Sequence, residues 1–277
     1  MNSVVAFPLS FETRNVCILH SEFCITRSIQ SRHSDSNGRS AVDTIVTAVK
    51  IDTVFLDAGG VLVFPNWDRV SDTFARHGIE VSADVMRAAE PAARFAIDDA
   101  RRVATTSDAD RGSLYFRLVL EQAGVPRDAP IQPALDELWA YHMEHNLWES
   151  VPADVFPALE RLRDLGVTLA VASNANGVLQ RAFERVGLTR YFHSICDSFI
   201  EGAEKPDARF FRVVLQRCGG QPETTVHVGD LYHVDIVGAR NAGLHAVLMD
   251  PQNLYQEYDV DRVRNLGELV DYVGRRR

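Results

Sequence analysis

Lysine is nearly missing from this sequence. Of its 29 basic residues only Lys50 and Lys205 are lysine, and the rest are arginine. The general surface cation is therefore arginine. A lysine kept inside the folded part marks a place where a slim ammonium fits and a planar guanidinium does not. Cysteine is also scarce. Four residues, at 17, 24, 196 and 218, are too few and too scattered for a disulfide framework or a zinc site, which points to a reducing, cytoplasmic setting. No apolar run approaches the ~18–20 residues that a bilayer span needs, so none is expected. Positive charge is in deficit, with 29 basic against 38 acidic residues and a net charge of −9. That argues against a general nucleic-acid binder, whose affinity rests on neutralising phosphates. A chain that is 46% hydrophobic and 24% charged has neither the composition of a wholly disordered protein nor that of collagen or a coiled coil. Its 277 residues allow one elaborated domain or two modest ones.

Residues 1–50 lack sustained periodicity and include the run Ser31-Arg32-His33-Ser34-Asp35-Ser36-Asn37-Gly38-Arg39-Ser40, so they are expected to form a disordered tail. The acidic residues Glu12, Glu22 and Asp35 speak against a transit peptide. From residue 51 the pattern sharpens. Short β-branched, apolar runs at 51–56, 167–172, 225–228 and 246–249 each end in a polar turn, and amphipathic helical stretches at 153–165, 176–186, 207–218 and 233–242 separate the later ones. This alternation predicts an α/β fold, a Rossmann-like parallel sheet with helices on both faces. The interval 64–150 breaks it. It shows no strand-like run, only helical stretches near 68–77, 82–104, 112–123 and 132–146. About 85 residues are too many for a loop, so the interval reads as an inserted all-helical cap over a core made of 51–63 and 151–277.

Ligands of such sheets bind beyond the carboxyl ends of the strands. Four clusters fall there: Asp57; Ser173 with Asn174; Lys205; and Asp230 with Asp235. A nucleophilic carboxylate, a hydroxyl, an ammonium and a pair of acids suit phosphoryl transfer through an aspartyl-phosphate. Asp57 would attack phosphorus. Asp57 and Asp230 would hold Mg²⁺, a hard cation that prefers a few carboxylates, waters and substrate oxygens. Ser173, Asn174 and Lys205 would bind the substrate's phosphate, where transition-state charge spreads. Each cluster also has an ordinary alternative: Asp57 and Ser173-Asn174 could cap turns or helices, Lys205 could sit at the surface before Pro206, and the acid pair could cap the next helix.

The ordered set (strand and Asp57, helical insert, strand and Ser173, Lys205-Pro206, Gly229-Asp230-x₄-Asp235) resembles the haloacid dehalogenase-like (HAD) hydrolase superfamily over about residues 51–250, in its subgroup with a helical cap after the first strand. The resemblance implies Mg²⁺ dependence and phosphatase action on a small phosphorylated metabolite. By motif, Asp57 would be nucleophile and metal ligand, Gly59 a ligand through its carbonyl, and Asp230 a metal ligand. Ser173 and Lys205 would bind phosphate, and Asp235 would support the site through Lys205 or a metal-bound water. A monomer or homodimer is expected, without nucleic-acid or membrane partners.

One departure stands out. Phosphatases of the family carry a second Asp two residues after the nucleophile, the general acid and base, and here that position is Gly59. Such help is worth ~10²–10⁴-fold in rate. The substrate then has a good leaving group, another residue supplies the proton, or the protein is a weakly active or inactive phosphate-binding member. Phosphonate-cleaving relatives use a cap lysine, and 64–150 contains none. A 2-haloacid dehalogenase is disfavoured by Asp230, an extra carboxylate beside an anionic substrate.

Arg94, Arg101 and Arg102 are taken as surface cations, and Trp67, Trp139 and Trp148 as helix packing. His142 and His145 carry no assignment, and His227 is a buried core histidine. His233, close to Asp230, is a candidate stand-in for the missing acid, and Cys196 and Cys218 are small buried hydrophobes.

Overall fold

The computed structural model describes residues 49–277 apart from Ser107, and no side chains at 108–110. The tail expected over 1–50 lies almost wholly outside the described residues. The strands are β1 (Thr53–Leu56), β2 (Phe64–Pro65), β3 (Trp148–Ser150), β4 (Thr168–Ser173), β5 (Ser194–Asp197), β6 (Thr225–Gly229), β7 (His245–Met249) and β8 (Asp261–Val263). Six of them form one sheet in the order β5-β4-β1-β6-β7-β8, every neighbouring pair parallel. The chain leaves β1 toward β4 and β5 on one side and returns to its other side at β6, so the strand order reverses at β1. That switch point opens a crevice at the carboxyl ends of β4, β1 and β6.

The strands read as continuous apolar runs because both faces are covered. Val54, Leu56, Leu169 and Val171 point into a core with Leu159, Leu162, Phe183 and Leu269. The residues between them, Phe55, Ala170 and Ala172, pack on Phe210, Phe211 and Val214. The first core engages α6 (Val155–Asp164), α7 (Leu179–Arg185) and α11 (Leu266–Gly274), and the second engages α9 (Ala208–Cys218) and α10 (Val237–Asn241), while the four-residue α8 (Ser198–Glu201) follows β5. The edge strands β5 and β8 escaped the sequence reading, because they are short and β8 exposes Asp261 and Arg262.

Between β2 and β3 the chain forms α1 (Trp67–Arg76), α2 (Ala83–Ile97), α3 (Ala100–Thr105), α4 (Asp108–Gln122) and α5 (Gln132–His145). Helices α1, α2, α4 and α5 share a separate apolar cluster that includes Val70, Phe74, Met86, Val119 and Leu138. Two expectations need correction. The interval does contain strands: Phe64 pairs with Ser150 and Pro65 with Trp148 in an antiparallel ribbon, too short to leave an alternation in the sequence. The helix expected over 82–104 also breaks at Asp98-Asp99. Asp99 caps α3 by accepting the Arg102 N–H (2.9 Å), while Asp98 turns inward and accepts from the backbone N–H groups of Tyr232 and His233 and from the Tyr255 hydroxyl. Continuing the helix would forfeit these bonds.

Asp98 thus satisfies three donors of the core from the helical segment. Asp98→Ala leaves them without that acceptor and is expected to cost about 2–3 kcal/mol, read as a lower urea midpoint at unchanged slope. An unmoved midpoint would show that solvent serves these donors equally well. No described helix is long and apolar enough to cross a membrane. Cys196 is buried and Cys218 half-buried, both as thiols, and burial pushes the Cys196 thiol up to about 12.

Candidate active site

Each sequence-picked residue arrives at the crevice by its place on a strand. Asp57 follows β1, and its N–H donates to the Val228 carbonyl (2.9 Å), carrying the ladder one residue past the strand. Ser173 ends β4 beside Asp197 of β5; its hydroxyl donates to the Asn174 carbonyl (3.4 Å) and helps to pull the Asp57 carboxyl down. Asp230 follows β6. The helix expected from 233 opens instead with a π-helical turn, Tyr232–Ile236, that carries Asp235; such wide turns recur at functional sites. Lys205 lies between α8 and α9, where the Asn174 amide clasps its backbone. Asn174 Oδ1 accepts the Lys205 N–H (2.8 Å), and Asn174 Nδ2 donates to the Lys205 carbonyl (3.0 Å).

The lysine's side chain is 1% exposed and lies between two acids, with Nζ 2.7 Å from Asp235 Oδ1 and 3.0 Å from Asp57 Oδ1. Burial works against an ammonium, yet Asp235 and Asp57 together hold it above the ordinary lysine value. Burial also works against the Asp235 carboxylate, but Lys205 and a bond from His227 Nε2 (3.0 Å) outweigh it and keep the acid well below the usual range. The other Asp235 oxygen accepts the Leu231 N–H (3.0 Å). His227 is the buried core histidine expected, 0% exposed. Burial lowers its pKa and keeps the ring neutral.

Arg94 corrects the surface reading given to it. It is buried on α2, and its Nη1 donates to Asp230 Oδ2 (2.7 Å) while Nε lies 3.4 Å from Glu90. Tyr115 donates to Glu90 Oε1 (3.1 Å) and closes the chain of contacts. A signal existed in the sequence. Glu90 and Arg94 fall on the same helical stripe as Met86, Ala93 and Ile97, and charge on an apolar stripe calls for a buried partner. Arg101, by contrast, is exposed. His233 donates its backbone N–H to Asp98 and turns Nδ1 toward the same residue (3.1 and 3.2 Å). Trp67 packs in the helical cluster as expected, whereas Trp139 is 44% exposed.

Burial raises the Asp57 carboxyl against the pull of Lys205, and raises Asp230 to about 7 against the pull of Arg94. One ligand oxygen each from Asp57, Asp230 and Asp235 lies within 4.8 Å of the others. A cluster of hard oxygen donors with this surplus of negative charge fits a divalent cation. Gly60 makes the approach possible. At φ +74° it has no Cβ where one would meet Asp230 Oδ2 at 1.8 Å. Gly59 faces a different neighbour, because a Cβ there would stand 3.3 Å from the Trp148 indole. The space next to the acid-less position is filled by an aromatic ring.

The comparisons agree with this architecture. A family model for haloacid dehalogenase-like hydrolases matches residues 51–243. Among curated proteins the chain is 34% identical to the ribulose-1,5-bisphosphate 5-phosphatase of Halopiger xanaduensis, over 58% of this chain and 71% of that protein. It is 30% identical to the glyceraldehyde 3-phosphate phosphatase of Methanopyrus kandleri, over 56% and 71%. The magnesium-bound HAD-hydrolase YfnB of Bacillus subtilis shares the fold at a TM-score of 0.60 and 19% identity, covering 81% of this chain and 99% of that one. A match of this length, on top of the strand order and the acids at its switch point, means that the chain belongs to the haloacid dehalogenase-like hydrolase family.

Proposed function

We propose that the protein is a phosphatase of small phosphorylated compounds that works through an aspartyl-phosphate on Asp57. The observation that carries this reading is the buried Lys205 bridging Asp57 and Asp235, with Ser173 and Asp230 alongside at the carboxyl edge of the sheet. The phosphatases among its relatives support it. Lys205 favours the anionic form of Asp57 and offsets part of the effect of burial, and the Ala58 N–H donates to Oδ1 (2.7 Å). Ser173 and Lys205 then face the phosphoryl oxygens as charge spreads over them. Asp57, Asp230 and the Gly59 carbonyl would hold Mg²⁺, which lowers the repulsion between anionic nucleophile and anionic substrate. Asp235 stays on Lys205, His227 and Leu231 as a positioning residue.

Residues 64–150 act in this reading as a cap, with the ribbon of β2 and β3 as its hinge and the Arg94 and Asp98 contacts as its clasp. The test is phosphate release from a panel of monoesters with added MgCl₂, followed by EDTA. Turnover that falls about 10²-fold or more on chelation and returns with the metal supports the proposal. Turnover indifferent to EDTA would overturn the metal assignment. Gly59 favours a second reading, a slow phosphate binder, for substrates with poor leaving groups. That reading calls for phosphate binding by calorimetry without turnover of alkyl esters.

A further inference from the structure

A cavity of about 840 Å³ opens on the catalytic crevice. Ala58 and Gly59, which follow Asp57 in the chain, and Ser173 at the end of β4 are among its lining residues. A phosphoryl group on Asp57 therefore sends its leaving group into this space. One part of the wall is apolar and aromatic, made by Phe116 from α4, Leu135, Leu138, Trp139 and Met143 from α5, and Trp148 from β3. Polar residues such as His142, Asn146, Asn176 and Glu204 share the rest of the lining. Trp139 and Met143 are each 44% exposed. Large apolar side chains left in water around a concavity gain free energy when a ligand covers them. The charged groups that border the cavity are engaged with polar neighbours. Arg209 is held by Asp207 (2.7 Å from Nε), and Gln132 accepts from Arg117 (2.6 Å) and donates to Asp136 (2.8 Å). A three-carbon or two-carbon phosphate would fill little of the volume and cover little of the wall.

The second observation is independent of the walls. Position 59 carries no side chain, and the Trp148 indole stands 3.3 Å from where its Cβ would be. That side presents the indole Cδ1 and Nε1 of Trp148, an edge that can donate a hydrogen bond through Nε1 but, unlike a carboxyl group, does not give up a proton. A group that departs without a proton must be a stable anion, as a phenolate is and an alkoxide is not.

Resting on the phosphatase reading above, we infer that the substrate is a phosphate monoester of a phenol-type alcohol with apolar bulk beyond one ring. Asp57 attacks phosphorus and the new bond to its Oδ forms as the bond to the aryl oxygen breaks. The electron pair leaves on the phenolate, which takes its proton from solvent. A water then attacks phosphorus, the bond to Asp57 breaks, the carboxylate is restored and inorganic phosphate leaves, with the water's proton passing to solvent. The aromatic portion lies against Trp139, Phe116 and Trp148.

The experiment compares kcat/KM for 4-nitrophenyl, phenyl, 2-naphthyl and glycerol phosphates with Mg²⁺. Phenyl phosphate is expected to exceed glycerol phosphate by about 10²-fold or more, and the nitrophenyl ester to exceed both, as befits departure without an acid. Naphthyl is expected to exceed phenyl by about tenfold, because the second ring covers more of the wall. In Trp139→Ala that ratio should fall toward one, and in Trp139→Phe it should largely return. Equal rates for phenyl and glycerol phosphates would overturn the inference by revealing a proton donor, with His142 on the cavity wall the first to replace. A naphthyl-to-phenyl ratio of one in the unmodified protein would overturn it through the walls. If no ester turns over, the phosphatase reading fails, and calorimetry of Asp57→Asn with 2-naphthyl and glycerol phosphates decides the pocket separately. Tighter naphthyl binding upholds the aromatic assignment, and equal binding ends it.

Discussion

Asp57→Asn is expected to lower phosphate-ester turnover by about 10⁴-fold or more, since it removes the proposed nucleophile without emptying the space around it. The same substitution should leave the urea midpoint unchanged or raise it. The carboxylate is buried, which raises its pKa, and Asp235 stands nearby as a second negative charge; Lys205 offsets only part of this. A neutral amide of the same shape avoids that cost and can still accept the Lys205 and Ala58 hydrogen bonds through its oxygen. A site that gains stability as it loses function carries strain kept for chemistry. Two measurements on one variant therefore test the assignment, phosphate release and denaturation. Activity above about a hundredth of the original would assign the nucleophile elsewhere. A large loss of stability together with activity would make Asp57 a structural acid.

The sheet was legible because its central strands are apolar on both faces and end in polar turns, which two-sided burial imposes residue by residue. The acids and the lysine were legible for a related reason. Motif spacing reflects local contact, as at Gly229, where a Cβ would stand 2.1 Å from the Asp235 carboxyl carbon. A glycine six residues ahead of that acid is what lets the turn close. Lys205 was conspicuous through the scarcity of its kind, and its 1% exposed slot between two acids is a place for a narrow cation. What stayed hidden depends on partners far along the chain. Arg94 meets Asp230 across 136 residues, and Asp98 meets His233 across 135, so neither leaves a spacing to read. The β2 and β3 ribbon is held by pairing rather than by propensity. Trp148 does pack, as read, on the helical cluster with Tyr115 and Phe116, and only its approach to Gly59, across the whole insert, left no spacing to read.

Lys205→Met is expected to destabilise the fold by about 3–5 kcal/mol, the usual cost of removing one partner from a buried ionic cluster. Asp57 and Asp235 would then face each other with no ammonium between them, and Asp235 would keep His227 and the Leu231 N–H as its partners. In the native protein Lys205 holds the Asp235 pKa below its ordinary value, so this acid contributes stability above the ordinary carboxylate pKa and loses it as pH falls. Without the lysine, burial dominates and the pKa rises. Asp235 then opposes folding at neutral pH and ceases to do so once protonated. The stability gap between native and variant proteins should accordingly be widest near pH 7 and narrow toward about pH 4. Adding Asp235→Asn to the variant should recover part of the loss at pH 7, because it removes one of the stranded charges. Lys205→Arg keeps the charge but brings a planar fork into a slot shaped for a single nitrogen. It should therefore recover less stability than charge alone implies and leave Asp57 without its bond to Nζ. A gap that is flat from pH 7 to pH 4, or an arginine variant as stable and active as the original, would mean that the lysine acts as a generic cation and that the two acids do not depend on its position.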